Sequence, residues 1–127
     1  MTGLRHVVGV IEDDASVRGA LHRLFQRAGF EVSLFATGEE YFADPRKDEV
    51  DCLVIDVRLP GISGVELLEQ VQAGGSARAR AVVITSHEDE RIRERAMAAG
   101  ASGFFLKPFD NRQLRRAVSR AMGLTES

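Results

Sequence analysis

Five short apolar runs, each leading through a polar break into a segment with helical spacing, constrain this chain more than any other feature. Val7, Val8, Val10 and Ile11 make the first. Cys52 to Ile55 and Ala81 to Ile84 are apolar without interruption. An unbroken apolar run suits a strand whose sheet is covered on both faces. Phe30, Val32 and Leu34 alternate with Glu31 and Ser33, which predicts a half-exposed strand, and Gly103 to Leu106 closes the series.

Between the runs the period changes to that of a helix. Asp14 is placed to cap a helix whose Val17, Leu21, Leu24, Phe25 and Ala28 share one face, with Gly29 as its stop. Thr37 with Glu40, and Ser63 with Glu66, read as capping boxes. The first opens a short helix ending before Pro45, the second a helix through Leu67, Leu68 and Val71. Asp89 to Ala99 reads as a solvated helix with an Asp89–Arg93 pair and Gly100 as its stop. Asp110 caps a last helix carrying Leu114, Ala117, Val118, Ala121 and Met122.

Strands alternating with helices predict an α/β fold: a doubly wound, five-stranded parallel sheet with right-handed crossovers and strand order 2-1-3-4-5. At 127 residues the chain is read as a single domain over 1–127, with its core from about 6 to 122. One cysteine, Cys52, excludes an internal disulfide framework and a zinc site of paired cysteines, and in its apolar run it reads as an inert small hydrophobe. The longest apolar run, Ala96 to Ala101, is far short of the roughly 18 residues of a membrane span, and no signal-type stretch follows Arg5. Seventeen Lys and Arg against nineteen Asp and Glu give a net charge of −2, without a basic block, so neither direct nucleic-acid binding nor a membrane partner is expected. His6 and His22 show no metal or nucleophile pattern, and Arg112, Arg115, Arg116 and Arg120 read as a solvated face or a docking face.

Doubly wound sheets bind ligands beyond the carboxyl ends of their strands. There this sequence places Glu12, Asp13 and Asp14 after the first strand, Asp56 after the third, Thr85 and Ser86 after the fourth, and Lys107 and Pro108 after the fifth. Helix capping explains Asp14 and serves for Asp13. It does not explain Asp56, which runs into Val57-Arg58-Leu59-Pro60-Gly61. Clustered carboxylates oppose one another unless a cation sits among them, and a hard divalent ion with oxygen ligands resolves the crowding.

At these residues the chain resembles the receiver domain of bacterial two-component response regulators, a flavodoxin-like (βα)5 fold, over about residues 6–122. Asp56 to Gly64, followed by Val65, Glu66 and Leu67, and the Lys107-Pro108-Phe109 ending look most like the subfamily whose receivers precede helix-turn-helix DNA-binding domains. The resemblance implies a phosphoacceptor, Asp56, supplied by a sensor histidine kinase. It implies Mg²⁺, or Mn²⁺ in its place, held by Asp13, Glu12, Asp56 and the backbone carbonyl of Arg58. Many members have Asp where Glu12 stands, and its longer stem allows a contact through water. Lys107 would meet a phosphoryl oxygen, Thr85 and Phe104 would form the switch, and the Lys107–Pro108 bond would be cis. Phe104 stands where many relatives have Tyr, so its part must be played by packing. The side chains of Arg58 and His87 would set the lifetime of the acyl phosphate. The same resemblance implies a cytoplasmic protein that catalyses only its own phosphorylation and dephosphorylation, a DNA-binding output domain outside this chain, and a homodimer on phosphorylation. Two competing readings fit less well. A phosphatase with an aspartyl-phosphate intermediate needs an acid two residues after its nucleophile, where Arg58 stands, and a flavin carrier needs a phosphate cradle where Glu12-Asp13-Asp14 would repel one.

Overall fold

The apolar runs form the strands of one parallel sheet, in the order β2-β1-β3-β4-β5. The structure, a computed structural model, describes residues 5–74 and 80–124. The outermost residues of the single-domain reading, 1–4 and 125–127, lie outside these. In chain order the elements are β1 (Val7–Ile11), α1 (Ala15–Arg27), β2 (Glu31–Phe35), α2 (Gly38–Ala43), β3 (Cys52–Asp56), α3 (Gly64–Ala73), β4 (Arg80–Thr85), α4 (Glu90–Ala98), β5 (Gly103–Leu106) and α5 (Asn111–Ala121). A 3-10 turn at Lys47–Glu49, which the periodicity does not reveal, leads into β3.

Strand alternation divides the core in two. Val8, Val10, Cys52, Val54, Val82 and Ile84 pack under α1 and α5 with Leu21, Phe25, Leu114 and Val118. Ile11, Leu53, Ile55 and Val83 face the other way, under α2, α3 and α4, with Phe35, Leu67, Leu68 and Ala96. Each fully buried Leu or Phe stabilises the fold by about 1.5–3 kcal/mol relative to an exposed one. The two layers differ in charge as well. Helices α1 and α5, side by side, carry seven arginines and no acid, while the rest of the chain sets the other ten Lys and Arg against all nineteen Asp and Glu.

The helix starts follow their caps. The Asp14 carboxylate accepts from the Ser16 and Val17 amides, Asp89 from Arg91 and Ile92, and Asp110 from Gln113. Ser63 and Glu66 form a complete capping box. Gly29 and Gly100 follow α1 and α4 at φ of 95° and 98°.

Three local expectations need correction. Thr37 caps α2, but Glu40 reaches past the cap residue and accepts from the Ala36 amide at 2.9 Å, so the box is not closed. Asp89 does not pair with Arg93: its carboxylate is taken by the helix amides, and Arg93 lies 3.8 Å from Glu90 instead. Leu34 does not share the burial expected of its alternating face and is 38% exposed, because β2 is an edge strand incompletely roofed there; Phe35, on the opposite face, is the buried residue.

Register brings the functional ends level. Ile11 pairs with Ile55 and with Phe35, Asp56 pairs with Ile84, and Thr85 pairs with Leu106. The ladder continues one step beyond the strands, with Glu12 N–H donating to Phe35 C=O at 3.0 Å and Lys107 N–H to Thr85 C=O at 2.7 Å. Helix α3 starts tight against β3. A Cβ on Gly64 would strike the carbonyl of Asp56 and the Ile55 side chain, whereas one on Gly19, mid-helix in α1, would meet only the tip of Arg23 at 3.5 Å. Gly64→Ala is therefore expected to lower stability by about 1–3 kcal/mol, and Gly19→Ala to raise it by about 0.5–1 kcal/mol. Urea denaturation midpoints measure both.

Candidate functional site

The carboxyl ends of β1, β3 and β5 meet at one ammonium group. Lys107, the residue after β5, places Nζ 2.7 Å from Glu12 Oε1 and 3.3 Å from Asp56 Oδ2. Glu12 is completely buried and Asp56 is 5% exposed, so the lysine neutralises charge that water does not reach. Burial, with the Asp56 carboxyl beside it, pushes Glu12 above the usual carboxylate range; the contacts with Lys107 and the Asp14 amide offset this only in part. Burial also pulls the Lys107 ammonium down, but Glu12 and Asp56 outweigh it and hold its pKa above the ordinary value.

The remaining oxygens distinguish the three acids. Glu12 uses both, accepting from Lys107 and, through Oε2, from the Asp14 amide at 3.1 Å. Asp56 Oδ1 accepts from the Arg58 amide at 3.2 Å, which ties the backbone of Arg58 to the acid. Asp13 is exposed and its carboxylate takes part in no side-chain hydrogen bond among the described residues. Ligand oxygens of Glu12, Asp13 and Asp56 lie within 4.8 Å of one another. A set made only of oxygen donors, two buried and one open to water, fits a hard divalent ion such as Mg²⁺ or Mn²⁺.

Thr85, buried at the end of β4, accepts from the His87 amide at 3.2 Å. His87 Nδ1 is 3.3 Å from Ser86 Oγ. Phe104 lies beside Val83 in the ladder and packs, half-buried, on the layer under α2, α3 and α4. Thr85 and Phe104 thus share one side of the sheet. The Lys107–Pro108 peptide bond is cis. Cys52 is fully buried and its thiol is pushed up to about 12, chiefly by burial, which bears out its reading as an inert hydrophobe. Arg112, Arg116 and Arg120 are exposed on α5.

One participant was not evident in the sequence. Arg18, in the first turn of α1, donates Nη1 to the carbonyl of Glu12 at 2.9 Å and of Asp13 at 3.3 Å, bracing the backbone that carries both acids. A cation near a helix N-terminus opposes the helix dipole, and that mismatch is the one sequence signal by which it could have been found.

Comparison with known proteins identifies the family to which this fold and sequence belong. The profile of the response regulator receiver domain matches residues 8–119. Nodulation protein W of Bradyrhizobium diazoefficiens is 39% identical over 115 residues, covering 91% of this chain and 50% of that protein. The transcriptional regulatory protein FixJ of Azorhizobium caulinodans is 37% identical, covering 91% and 54%. The solved structure of the response regulator StyR superposes with a TM-score of 0.85 at 40% identity, covering 94% of this chain and 60% of that one. The chain spans about half the length of the curated relatives it matches. Since the matched span runs from β1 into α5 and takes in every strand end that contributes to the rim, the chain belongs to the response regulator receiver domain family.

Proposed function

We propose that this receiver accepts a phosphoryl group on Asp56 from the phosphohistidine of a sensor histidine kinase, and that the acyl phosphate shifts a conformational equilibrium that controls an output. The observation that carries this reading is the Asp56 carboxylate, nearly buried, within 3.3 Å of an ammonium and grouped with two further acids. In the transfer an Asp56 oxygen forms a bond to phosphorus as the phosphorus–nitrogen bond of the donor breaks and the imidazole leaves with the electron pair. Such chemistry depends mainly on positioning and charge neutralisation. Asp13, Asp56, Glu12 and the carbonyl of Arg58 would hold Mg²⁺ or Mn²⁺, whose charge, when bound, offsets that of the phosphoryl oxygens. Lys107 turns its ammonium from Asp56 to a phosphoryl oxygen while remaining anchored by Glu12. A phosphatase turning over other substrates is not kept, since Arg58 occupies the position where its second acid would stand.

The switch in this reading is an exchange of hydrogen bonds. The Thr85 hydroxyl leaves the His87 amide for the phosphoryl group, and Phe104, lacking a hydroxyl, responds by repacking on the same side of the sheet. Arg58 and His87 belong to the reading as regulators of lifetime, for both are tied by their backbone amides to a site residue: Arg58 to Asp56 and His87 to Thr85. The cytoplasmic setting, the DNA-binding output that regulates transcription, and a homodimer formed on phosphorylation are parts of the same proposal. No described helix is long and apolar enough to cross a membrane.

Incubation with acetyl phosphate and Mg²⁺ is expected to add one phosphoryl group to the parent chain and none to Asp56→Asn, as read by intact mass; labelling of the variant at another residue would overturn the assignment. Asp13→Asn removes a charge without removing a hydrogen bond. It is expected to weaken Mg²⁺ binding by more than about tenfold, and more than Glu12→Gln does, while melting no lower than the parent in the absence of divalent ions. Calorimetric titration and thermal melts read the two halves. Thr85→Ala is expected to accept phosphate on Asp56 yet lose the change in the Phe104 ring signals that phosphorylation produces in the parent, an outcome visible by NMR.

A further inference from the structure

Helix α2 is fitted to the loop that follows the acceptor. Residues 57–63 of that loop are fixed at both ends: the Val57 amide donates to the Ile84 carbonyl at 2.9 Å, the Gly64 amide to the Val57 carbonyl at 3.0 Å, and Ser63 begins the α3 capping box. Between these anchors the Ile62 amide donates to Glu39 Oε2 at 3.0 Å, a bond that spans 23 positions of sequence. Two glycines admit it. At Gly61, φ 74°, a Cβ would lie 2.5 Å from Glu39 Oε2; at buried Gly38 a Cβ would lie 2.5 Å from Ile62 Cγ2 and 2.7 Å from Leu67 Cδ1. Each partner omits a side chain where the other presents one. Glu40, the next residue, is occupied with the Ala36 amide, so the two adjacent acids of α2 serve different ends.

We propose that Glu39 is a positioning residue for the acceptor loop: by holding the Ile62 amide it keeps the backbone of Arg58, four residues upstream, at the acidic cluster, and so couples cation binding there to helix α2. This rests on the reading of Glu12, Asp13 and Asp56 as a cation site. An ionised carboxylate makes a stronger bond to an amide than a neutral acceptor does, and groups that orient ligands without touching the metal tune its affinity. Because such coupling is reciprocal, a cation at the cluster also tightens the bond between Ile62 and Glu39.

The test titrates MgCl2 alone into the isotopically labelled chain. It follows the Asp13 and Arg58 amides by NMR and measures hydrogen exchange at the Ile62 amide with and without the ion. Glu39→Ala is expected to weaken Mg²⁺ binding by about threefold to tenfold, at or below the low end of the ~10–100-fold range because the bond is exposed. It is also expected to speed exchange at Ile62 and to abolish the slowing that Mg²⁺ causes there in the parent. Glu39→Gln, which keeps an acceptor oxygen, should recover most of the affinity. Glu40→Ala, which loses a hydrogen bond at the start of the same helix, should leave affinity within about twofold of the parent. Unchanged affinity in Glu39→Ala, or an equal loss in Glu40→Ala, overturns the proposal, the latter by reducing the effect to helix stability. A parent chain whose Asp13 and Arg58 amides do not respond to Mg²⁺ overturns the cation-site reading and this proposal with it.

Discussion

One ammonium group ties together three strand ends that would otherwise repel one another. Glu12 and Asp56 terminate neighbouring central strands in a sheet covered on both faces, so their carboxyl groups converge with little water between them. Lys107 reaches them from the far side of β4 and meets both. The balance is incomplete, and the raised pKa of Glu12 is its measure. A carboxyl held above its ordinary value favours the folded state most when protonated, a contribution present at low pH and lost as the pH rises through the folded-state value. At neutral pH the buried charge of Glu12 is therefore a local cost to the fold, which further positive charge at the rim relieves. The bracing of the Glu12 and Asp13 carbonyls by Arg18 belongs to the same constraint, since it fixes the backbone where side-chain repulsion would loosen it.

Strand parity divides the site into two halves with different surroundings. Glu12 follows Val8 and Val10, and Asp56 follows Cys52 and Val54, so both acids end the face that lies under α1 and α5. Thr85 follows Val83 and lies on the opposite face with Phe104, under α2, α3 and α4. In the proposed reading the charge chemistry arises on one side of the sheet and the response is expressed on the other. The thickness of one strand, crossed between Asp56 and Thr85, is the whole distance the signal must pass.

The sequence made the fold and the rim legible for physical reasons. Unbroken apolar runs such as Cys52 to Ile55 identify buried parallel strands, and the rule that ligands gather at carboxyl ends then draws Glu12, Asp13, Asp56, Thr85 and Lys107 to one place without any contact being known. What was not legible depends on competition for a single group. Asp89 had two possible partners, the amides of α4 and Arg93, and spacing alone does not rank them. Glu40 was placed to bond Thr37, but the extended backbone before α2 presents the Ala36 amide instead. The exposure of Leu34 follows from the edge position of β2, a property of the sheet rather than of the run. Glu39 and Arg18 act on backbone groups across loops, and no periodicity marks such contacts.

The uneven placement of arginine gives the molecule an electric polarity that its net charge of −2 conceals. Seven guanidinium groups stand on the α1–α5 layer without an acid on either helix, and the remainder of the chain carries the excess of carboxylates. At physiological ionic strength the Debye length is about 8 Å, shorter than the span of a domain this size. A body approaching α1 and α5 therefore senses a positive surface, and one approaching from α2 and α3 a negative one. Encounter rates on these two sides should respond to salt in opposite senses for the same charged probe. A single isoelectric point describes neither side.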